Sequence, residues 1–591
     1  DGIRIYEPQY ANIRNNTIVA SGAYGIRKVD SNNNDSGSER NGYEIVGNTI
    51  IANKGIYLSY TQESRIDSNI IYVETDYGIR NRDGEGSVYN GNQILPSGDY
   101  YYTGFYIQHS DNSIVKNNEV QNARYAFDLQ SVNNDSLIGN NVVYNGSYNS
   151  SIYGFTDYYS NNYFYGNNVT IYKENTDFSF TFGFVASNGY SSENKYIKNK
   201  VIVGSKSSGN RNGGFYSLGE NAVLQENYVE ISNTCCESWN SSDKRRNSAI
   251  QGTSFTSTKD TLVLYNNAYG MYGTSISAAG TIIIAPEYHN DQYEAIYIES
   301  GEAVLENVLI TGIAKGIKTN NGSANLKRVT IETSGDYGIY ATGTLRTVNI
   351  EQSTFVSVAD STGTGILLED GVSLNMNSTI VDGYGTGLNA SSEATLYSNL
   401  FNNSSNYTGD GIADGTGVDN YFNINGDVAD MFGNLQMGPQ FVDRDGGDYH
   451  PSANSPLIDA GAAPVPDPDG SLPDIGSYFF NFGYTPKSLT TVSMGDGTVT
   501  LSWDIVETDS LTGYQPYYKL ATEDTWAATL LPTTDMAVEY TNLTNNSLYD
   551  FAVSALYLVS ESNKSPTIQA KPGVPELGVS PRVLIANSNE G

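Results

Sequence analysis

Apolar residues in this chain come in short runs, β-branched or aromatic, separated by Gly, Asn, Asp and Ser. Amphipathic helices need apolar residues at helical spacing over ten or more positions; runs this short read as strands and turns. Two signatures recur, and residues 43–58 hold both. One is an apolar residue, two others, Asn, one other and a second apolar residue, as in Ile45, Asn48 and Ile50. It is placed at Asn16, Asn48, Asn69, Asn92, Asn118, Asn141, Asn167, Asn199, Asn227, Asn307 and Asn399. The other is Gly followed by a large apolar residue, as in Gly55-Ile56, and it recurs from Gly2-Ile3 to Gly411-Ile412. Ala replaces the Gly at Ala126, Ala249 and Ala295. The 17 marks fall about every 26 residues.

A fixed period of this size implies stacked supersecondary units. Alternation within each run turns one set of side chains inward, so Ile45, Ile50, Ile56, Ile66, Ile71 and Ile79 are expected in a core. Asn and Gly are expected at corners where the backbone takes a positive φ, and Asn at equivalent corners can form a ladder of amide hydrogen bonds. The architecture that satisfies all of this is a parallel β-helix with coils ~4.8 Å apart, giving about 17 coils and a length of ~80 Å.

The stretch Ser110-Asp-Asn-Ser-Ile114-Val-Lys-Asn117-Asn118-Glu-Val120 resembles the repeat of right-handed parallel β-helix proteins of the pectate-lyase-like superfamily. The resemblance covers residues 1–480 and implies the fold. It leaves activity open, because the superfamily includes polysaccharide lyases, glycosidases, adhesins and structural proteins.

Between residue 141 and residue 249 the gap from the corner Asn to the next Gly mark lengthens. The added loops are expected to stack on one side, carrying Tyr158, Tyr159, Tyr163, Trp239 and the run Lys244-Arg245-Arg246, on what is often the binding face of a repeat protein. Residues 441–480 resemble the closing segment of bacterial secreted β-helix proteins and are expected to cap the solenoid. From 485 to 572 the style changes. Alternation in Thr498-Val-Thr-Leu-Ser-Trp503 and the run from Asn542 to Val553 resemble a fibronectin type III sandwich, with Tyr549 as its corner tyrosine. Residues 573–591 read as a linker or the start of another β domain. The expected fold is therefore all-β, a right-handed solenoid followed by a sandwich.

Charge narrows the partners. Lys and Arg number 32 against 65 Asp and Glu in 591 residues, a formal net charge of −33. That argues against nucleic acid and anionic membrane, and fits an extracellular or cell-surface protein, expected to be bacterial. No apolar run is long enough for a transmembrane helix. The two adjacent cysteines, Cys235 and Cys236, cannot make a disulfide framework. Because Asp1-Gly2-Ile3 stands in mid-repeat and a solenoid needs an end cap, the sequence suggests a piece of a longer precursor, with self-assembly through the solenoid ends as another way to cover the first coil.

Candidate chemistry is sparse. No carboxylate pair or Arg-x-Lys pattern matches a polysaccharide-cleaving site, and the three histidines, His109, His289 and His450, stand in no assignable motif. The expectation leans away from an enzyme, towards adhesion, glycan contact, or assembly with other surface proteins into a layer or filament. A polysaccharide lyase or glycoside hydrolase acting on an acidic polysaccharide is the alternative. Asp443, Asp445 and Asp448, and Asp467, Asp469 and Asp474, sit in Gly-containing runs that suit Ca²⁺, although Asp-Gly pairs also simply make turns. The second residue after each Gly mark should face outward. In the first six coils this gives Arg4, Arg27, Tyr57, Arg80, Tyr106 and Asp128, a stripe of cations and aromatics suited to an acidic polysaccharide.

Overall fold

The computed structural model describes residues 1–573 except 7–9, 30–41, 159–160, 175–178, 187–192, 206–210, 233–246, 266–267, 287–293, 360–361, 468–470, 481–485, 505–510, 524–525, 527–531, 558–561 and 563. Cys235, Cys236, Trp239, the run 244–246, His289, Tyr159 and Asp469 therefore lie outside the described residues, as do residues 574–591. The chain divides into two compact units, residues 1–463 with 474–478, and residues 464–473 with 479–591.

In the first unit each coil contributes one strand to each of three sheets. Ile3–Tyr6, Asp76–Arg82, Tyr102–Gln108 and Tyr125–Gln130 belong to the first sheet, which carries the Gly marks. Ala11–Arg14, Tyr43–Val46 and Arg65–Asp67 belong to the second, and Ile70–Val73, Gln93–Pro96 and Glu119–Gln121 to the third. Thr17–Val29 and Thr49–Ser59 run round a corner and serve both the third sheet and the first. Pairing is parallel, and each residue meets its equivalent in the next coil. Ile56 faces Ile79, Ile79 faces Phe105, and Phe105 faces Phe127. This register makes a pile of inward rings, in which Phe105, Phe127, Phe155, Phe184 and Phe215 stack at centroid distances of 4.6–4.9 Å. The six isoleucines expected inside, Ile45, Ile50, Ile56, Ile66, Ile71 and Ile79, are all fully buried.

The Asn ladder is real, with its register corrected at two places. From Asn16 through Asn48, Asn69, Asn92, Asn118, Asn140, Asn167, Asn199 and Asn227 to Asp260, each side-chain amide donates to the carbonyl or carboxylate oxygen of the next. The rung in the sixth of these coils is Asn140; Asn141 faces outward and pairs with Asn168. At Asn307 the ladder position is the next residue, Val308, which is buried. The left-handed residue at this corner is also not the rung. It is the residue before it, as in Asn15, Gly47, Ser68, Gly91, Asn117 and Gly139.

The Gly marks have a different cause from the one expected. Gly55, Gly78, Gly104 and Gly154 are not at positive φ. A Cβ on Gly104 would lie 2.5 Å from the carbonyl oxygen of Ala126 in the next coil and 2.6 Å from Val120 of its own coil. One on Gly78 would lie 2.9 Å from the oxygen of Gly104. Glycine is selected by the close approach of neighbouring coils and not by dihedral freedom.

Residues 421–463 and 474–478 do more than close the last coil. Asn434 and Leu435 extend the corner and the third sheet beyond Asn399 and Leu400. The segment then returns along the outside of earlier coils. Arg444 binds Asp382 at 2.6 Å and the carbonyl of Ser357, Tyr449 donates to Glu332, and Gly476 donates to the carbonyl of Ser378. Ile380, Leu400, Leu435, Leu457 and Ile475 form a separate small core beneath it.

Among its described residues the second unit contains two three-stranded antiparallel sheets. Thr498–Ser502 pairs with Thr490–Gly495 and Ala537–Tyr540, and Tyr549–Tyr557 pairs with Leu511–Leu520 and Ile568–Ala570. Trp503, Tyr514, Tyr540 and Phe551 share their core.

Candidate functional site

Parity along the first-sheet strands decides which side chains reach solvent. In Asp76–Arg82 the Ile79 side chain is inward, and Arg80 lies on the opposite face. The same position in successive coils runs Arg4, Arg27, Tyr57, Arg80, Tyr106, Asp128 and Thr156, each paired in register with the next. The row read from the sequence is thus one physical line, with neighbours ~4.8 Å apart.

A second row, the residue before each mark, flanks it and was not singled out from the sequence. It contains Tyr24, Lys54, Tyr77, Thr103, Tyr125 and Tyr153. Tyr24, Tyr57 and Tyr77 cluster with centroids 5.7–6.4 Å apart, and the Tyr77 hydroxyl lies 3.2 Å from that of Tyr24. The arginines pack into these rings. Arg27 sits 4.7 Å from the centroid of Tyr24, while Arg80 is 4.9–5.4 Å from Tyr57, Tyr77 and Tyr106.

Among the described residues the cations of this face divide into two kinds. Arg4 is bound to Asp1 at 2.7 Å, Lys54 to Asp76 at 2.7 Å, and Arg82 to Asp83 at 3.1 Å. Arg27, Arg80 and, at the edge of the face, Arg124 have no carboxylate partner, and their Nε atoms are buried without a hydrogen-bond acceptor; Arg124 sits 5.2 Å from the centroid of Tyr125. Their guanidinium groups are held in place by aromatic rings, not by ion pairs. In a chain this acidic, that keeps the charges of Arg27 and Arg80 in the row, and of Arg124 beside it, available to a ligand.

The row runs into an open pocket of about 350 Å³ lined by Gln108, Tyr125, Asp128, Gln130, Ser131 and Tyr158. Thr156 donates to the Asp128 carboxylate at 2.8 Å and Gln130 at 3.4 Å. Burial nonetheless raises the Asp128 pKa above the usual carboxylate range. Burial also pushes Tyr158 up to about 12, with Asp128 adding to the effect. Tyr125 stacks on Tyr153 at 4.8 Å and forms one wall. His109, at the far end of the neighbouring strand, meets Asp83 at 3.1 Å.

Of the other residues expected here, Tyr158 reaches the pocket, but Tyr163 does not join the face. It belongs to Tyr163–Tyr165 in the second sheet, pairs with Ser136 and Lys195, and stacks on Tyr165 at 6.0 Å. Residues 163–165 are a regular strand with Phe164 in the core, not an inserted loop. The insertions do enter at one corner, between the third sheet and the first, as at 147–151.

Among the described residues no three Asp, Glu, His or Cys side chains converge as a metal site. Asp443 caps the N–H of Gly446, and Asp448 binds His450 at 2.7 Å. Asp445 is exposed. Asp474 accepts the N–H of Asp459 at 2.7 Å.

Among solved structures, the chain is similar to the chicken CNTN1 FN1–FN3 domains (22% identity, 15% of this chain and 31% of that chain, TM-score 0.14). It is also similar to the fn3 domain of human contactin 1 (16% identity, 17% and 85%, TM-score 0.15). The fibronectin type-III domain of human fibronectin type III domain containing protein 3 matches at 19% identity (18% and 100%, TM-score 0.15). No curated protein matches the chain. The Right handed beta helix region matches residues 1–169 and 248–406, more than half of the sequence and the same coils that pair in parallel above. The chain belongs to the right-handed β-helix family.

Proposed function

We propose that this is an extracellular surface protein that holds an acidic glycan along the outer face of its first sheet. The family occurs in surface proteins and in polysaccharide-acting enzymes. The observation that carries the binding reading is the state of Arg27 and Arg80, fixed between tyrosine rings and free of carboxylates. A guanidinium fork suits a sugar carboxylate or sulfate, and a tyrosine face suits the apolar side of a sugar ring. Hydrolysis in most glycosidase families uses two carboxyl groups flanking one bond, and among the described residues Asp128 is the one carboxylate lining the pocket. Contact without cleavage is the simpler use of this face.

The test is binding of acidic oligosaccharides at fixed ionic strength. Arg27→Ala with Arg80→Ala is expected to weaken affinity ~30-fold, as two charge-assisted contacts of about 1 kcal/mol each imply. Unchanged affinity in the double variant, or no binding by the parent protein, would remove the proposal. Shortening of the oligosaccharides would establish the lyase or hydrolase reading instead.

The second unit fits a fibronectin type III-like spacer or docking module. Its Tyr549 hydroxyl accepts the backbone N–H of Thr544 at 3.0 Å, the corner contact of such sandwiches. Calcium at the 443–448 loop is tested separately. A melting temperature lowered by chelation supports it, and an unchanged one removes it.

A further inference from the structure

The free cations of the candidate face are not on adjacent coils. Arg27 pairs with Tyr57 and Tyr57 with Arg80, so exactly one coil separates them. On that middle coil Tyr57 occupies the row, and the flanking cation Lys54 is already bound to Asp76. Beyond Arg80 the row continues with Tyr106, then Asp128. Available charge therefore alternates with aromatic surface: cation, ring, cation, ring, and then a carboxyl group.

Two strand spacings are ~10 Å, about the length of a disaccharide in an extended chain. We infer that the glycan held by this face has a disaccharide repeat in which an acidic sugar alternates with an uncharged one, the acidic units on Arg27 and Arg80 and the uncharged units on Tyr57 and Tyr106. This rests on the reading of the face as an acidic-glycan site and names the class of glycan it takes.

The physical reason is selection against misplaced charge. A ligand acidic at every unit would set carboxylates against Tyr57 and Tyr106, whose ring faces are electron-rich and repel anions. An acidic unit one step past Tyr106 would meet Asp128. Buried at 8% exposure and held by Thr156 and Gln130, Asp128 offers no positive charge within the row, and the cation of that coil, Arg124, lies to the side over Tyr125. The adjacent Gln108 and Gln130 offer amides to hydroxyl groups at that end.

The experiment compares a hyaluronan hexasaccharide, which alternates uronic acid with N-acetylhexosamine, and a galacturonic acid hexamer, which is charged at every unit. Both are titrated at one ionic strength against the parent protein, against Arg27→Ala with Arg80→Ala, and against Tyr57→Lys. The alternating ligand is expected to bind about ten-fold more tightly than the homopolymer, as one or two repulsive contacts imply. The double arginine variant should lose that preference. Tyr57→Lys, which supplies a cation on the middle coil, should raise homopolymer affinity and erase the difference. Equal or tighter binding of the homopolymer by the parent overturns the alternation and leaves acidic-glycan binding standing. Failure of both ligands to bind removes the underlying reading as well. Far-ultraviolet circular dichroism of each variant separates loss of binding from loss of fold.

Discussion

Ile50→Asp is expected to abolish folding, and Ile51→Asp, one position along, to be tolerated. Ile50 is fully buried and pairs with Ile18 and Ile71 in adjoining coils, whereas Ile51 is 40% exposed on the outside of the third sheet. A carboxylate at Ile50 would have no cation and no hydrogen-bond donor within the aliphatic pile. Such a buried unpaired charge costs several kcal/mol, against a total stability of about 5–15 kcal/mol for an ordinary domain. Coils are stabilised largely by their neighbours, so the break would spread along the stack. Soluble yield and circular dichroism melts of the two variants check this. Equal sensitivity at both positions, or greater sensitivity at Ile51, would overturn the strand register.

Asp135→Asn is expected to stabilise the protein above neutral pH. Asp135 lies at the corner between the first and second sheets, in a column that continues as Asn162 and Asn194. Its Oδ1 accepts the N–H of Ser113 at 2.7 Å, but Oδ2 is buried without a partner. Burial pushes its pKa up to about 8, with the nearby Asp111 and Asp157 adding to the shift. The folded state thus holds a proton that the unfolded chain releases near pH 4, and stability falls as pH rises from about 4 to about 8. Four pKa units correspond to ~5 kcal/mol by pH 8. An amide fits the site, because Asn162 and Asn194 in the same column both donate to Asp157, at 3.1 and 2.5 Å. Asp260, raised to about 6 by burial, also titrates, and burial raises Asp128 too, so the difference between parent and Asp135→Asn from pH 6 to 8 is what reports Asp135. There the parent should lose about 2 kcal/mol more than Asp135→Asn in denaturant titrations. Parallel slopes in the two proteins would show that Asp135 ionises freely.

The architecture was legible because a solenoid repeats each local preference many times. The marks at Gly55, Gly78 and Gly104 align the coils, and alignment puts Arg27, Tyr57 and Arg80 in one line without further information. Causes were harder to read than positions. A glycine required by a neighbouring carbonyl looks the same in sequence as one required by a left-handed turn, and the marks are of the former kind. Where two Asn residues are adjacent, as at Asn140 and Asn141, the pattern fits nearly as well one residue out of step, and only pairing between coils decides. Tyr163 was counted with the lengthened loops although it falls just before the corner Asn167, where Phe164 between two tyrosines alternates as a strand should. The tyrosine row at Tyr24, Tyr77, Tyr125 and Tyr153 was available by aligning the residue before each mark. That Arg27 and Arg80 lack carboxylates was not available, since it depends on which acids the coils bring near.

The in-register stacking of the first sheet also limits how such a face can change. Deleting or adding a single residue within a strand would turn its outward side chains into the core, so variation that preserves the fold must remove or add a whole coil. One coil inserted between Arg27 and Arg80 would move them from two strand spacings apart to three, with no setting between. The face behaves as a ruler with fixed graduations, and, if it holds a glycan as proposed, relatives that differ in coil number here would jump from one ligand repeat length to another instead of drifting between them.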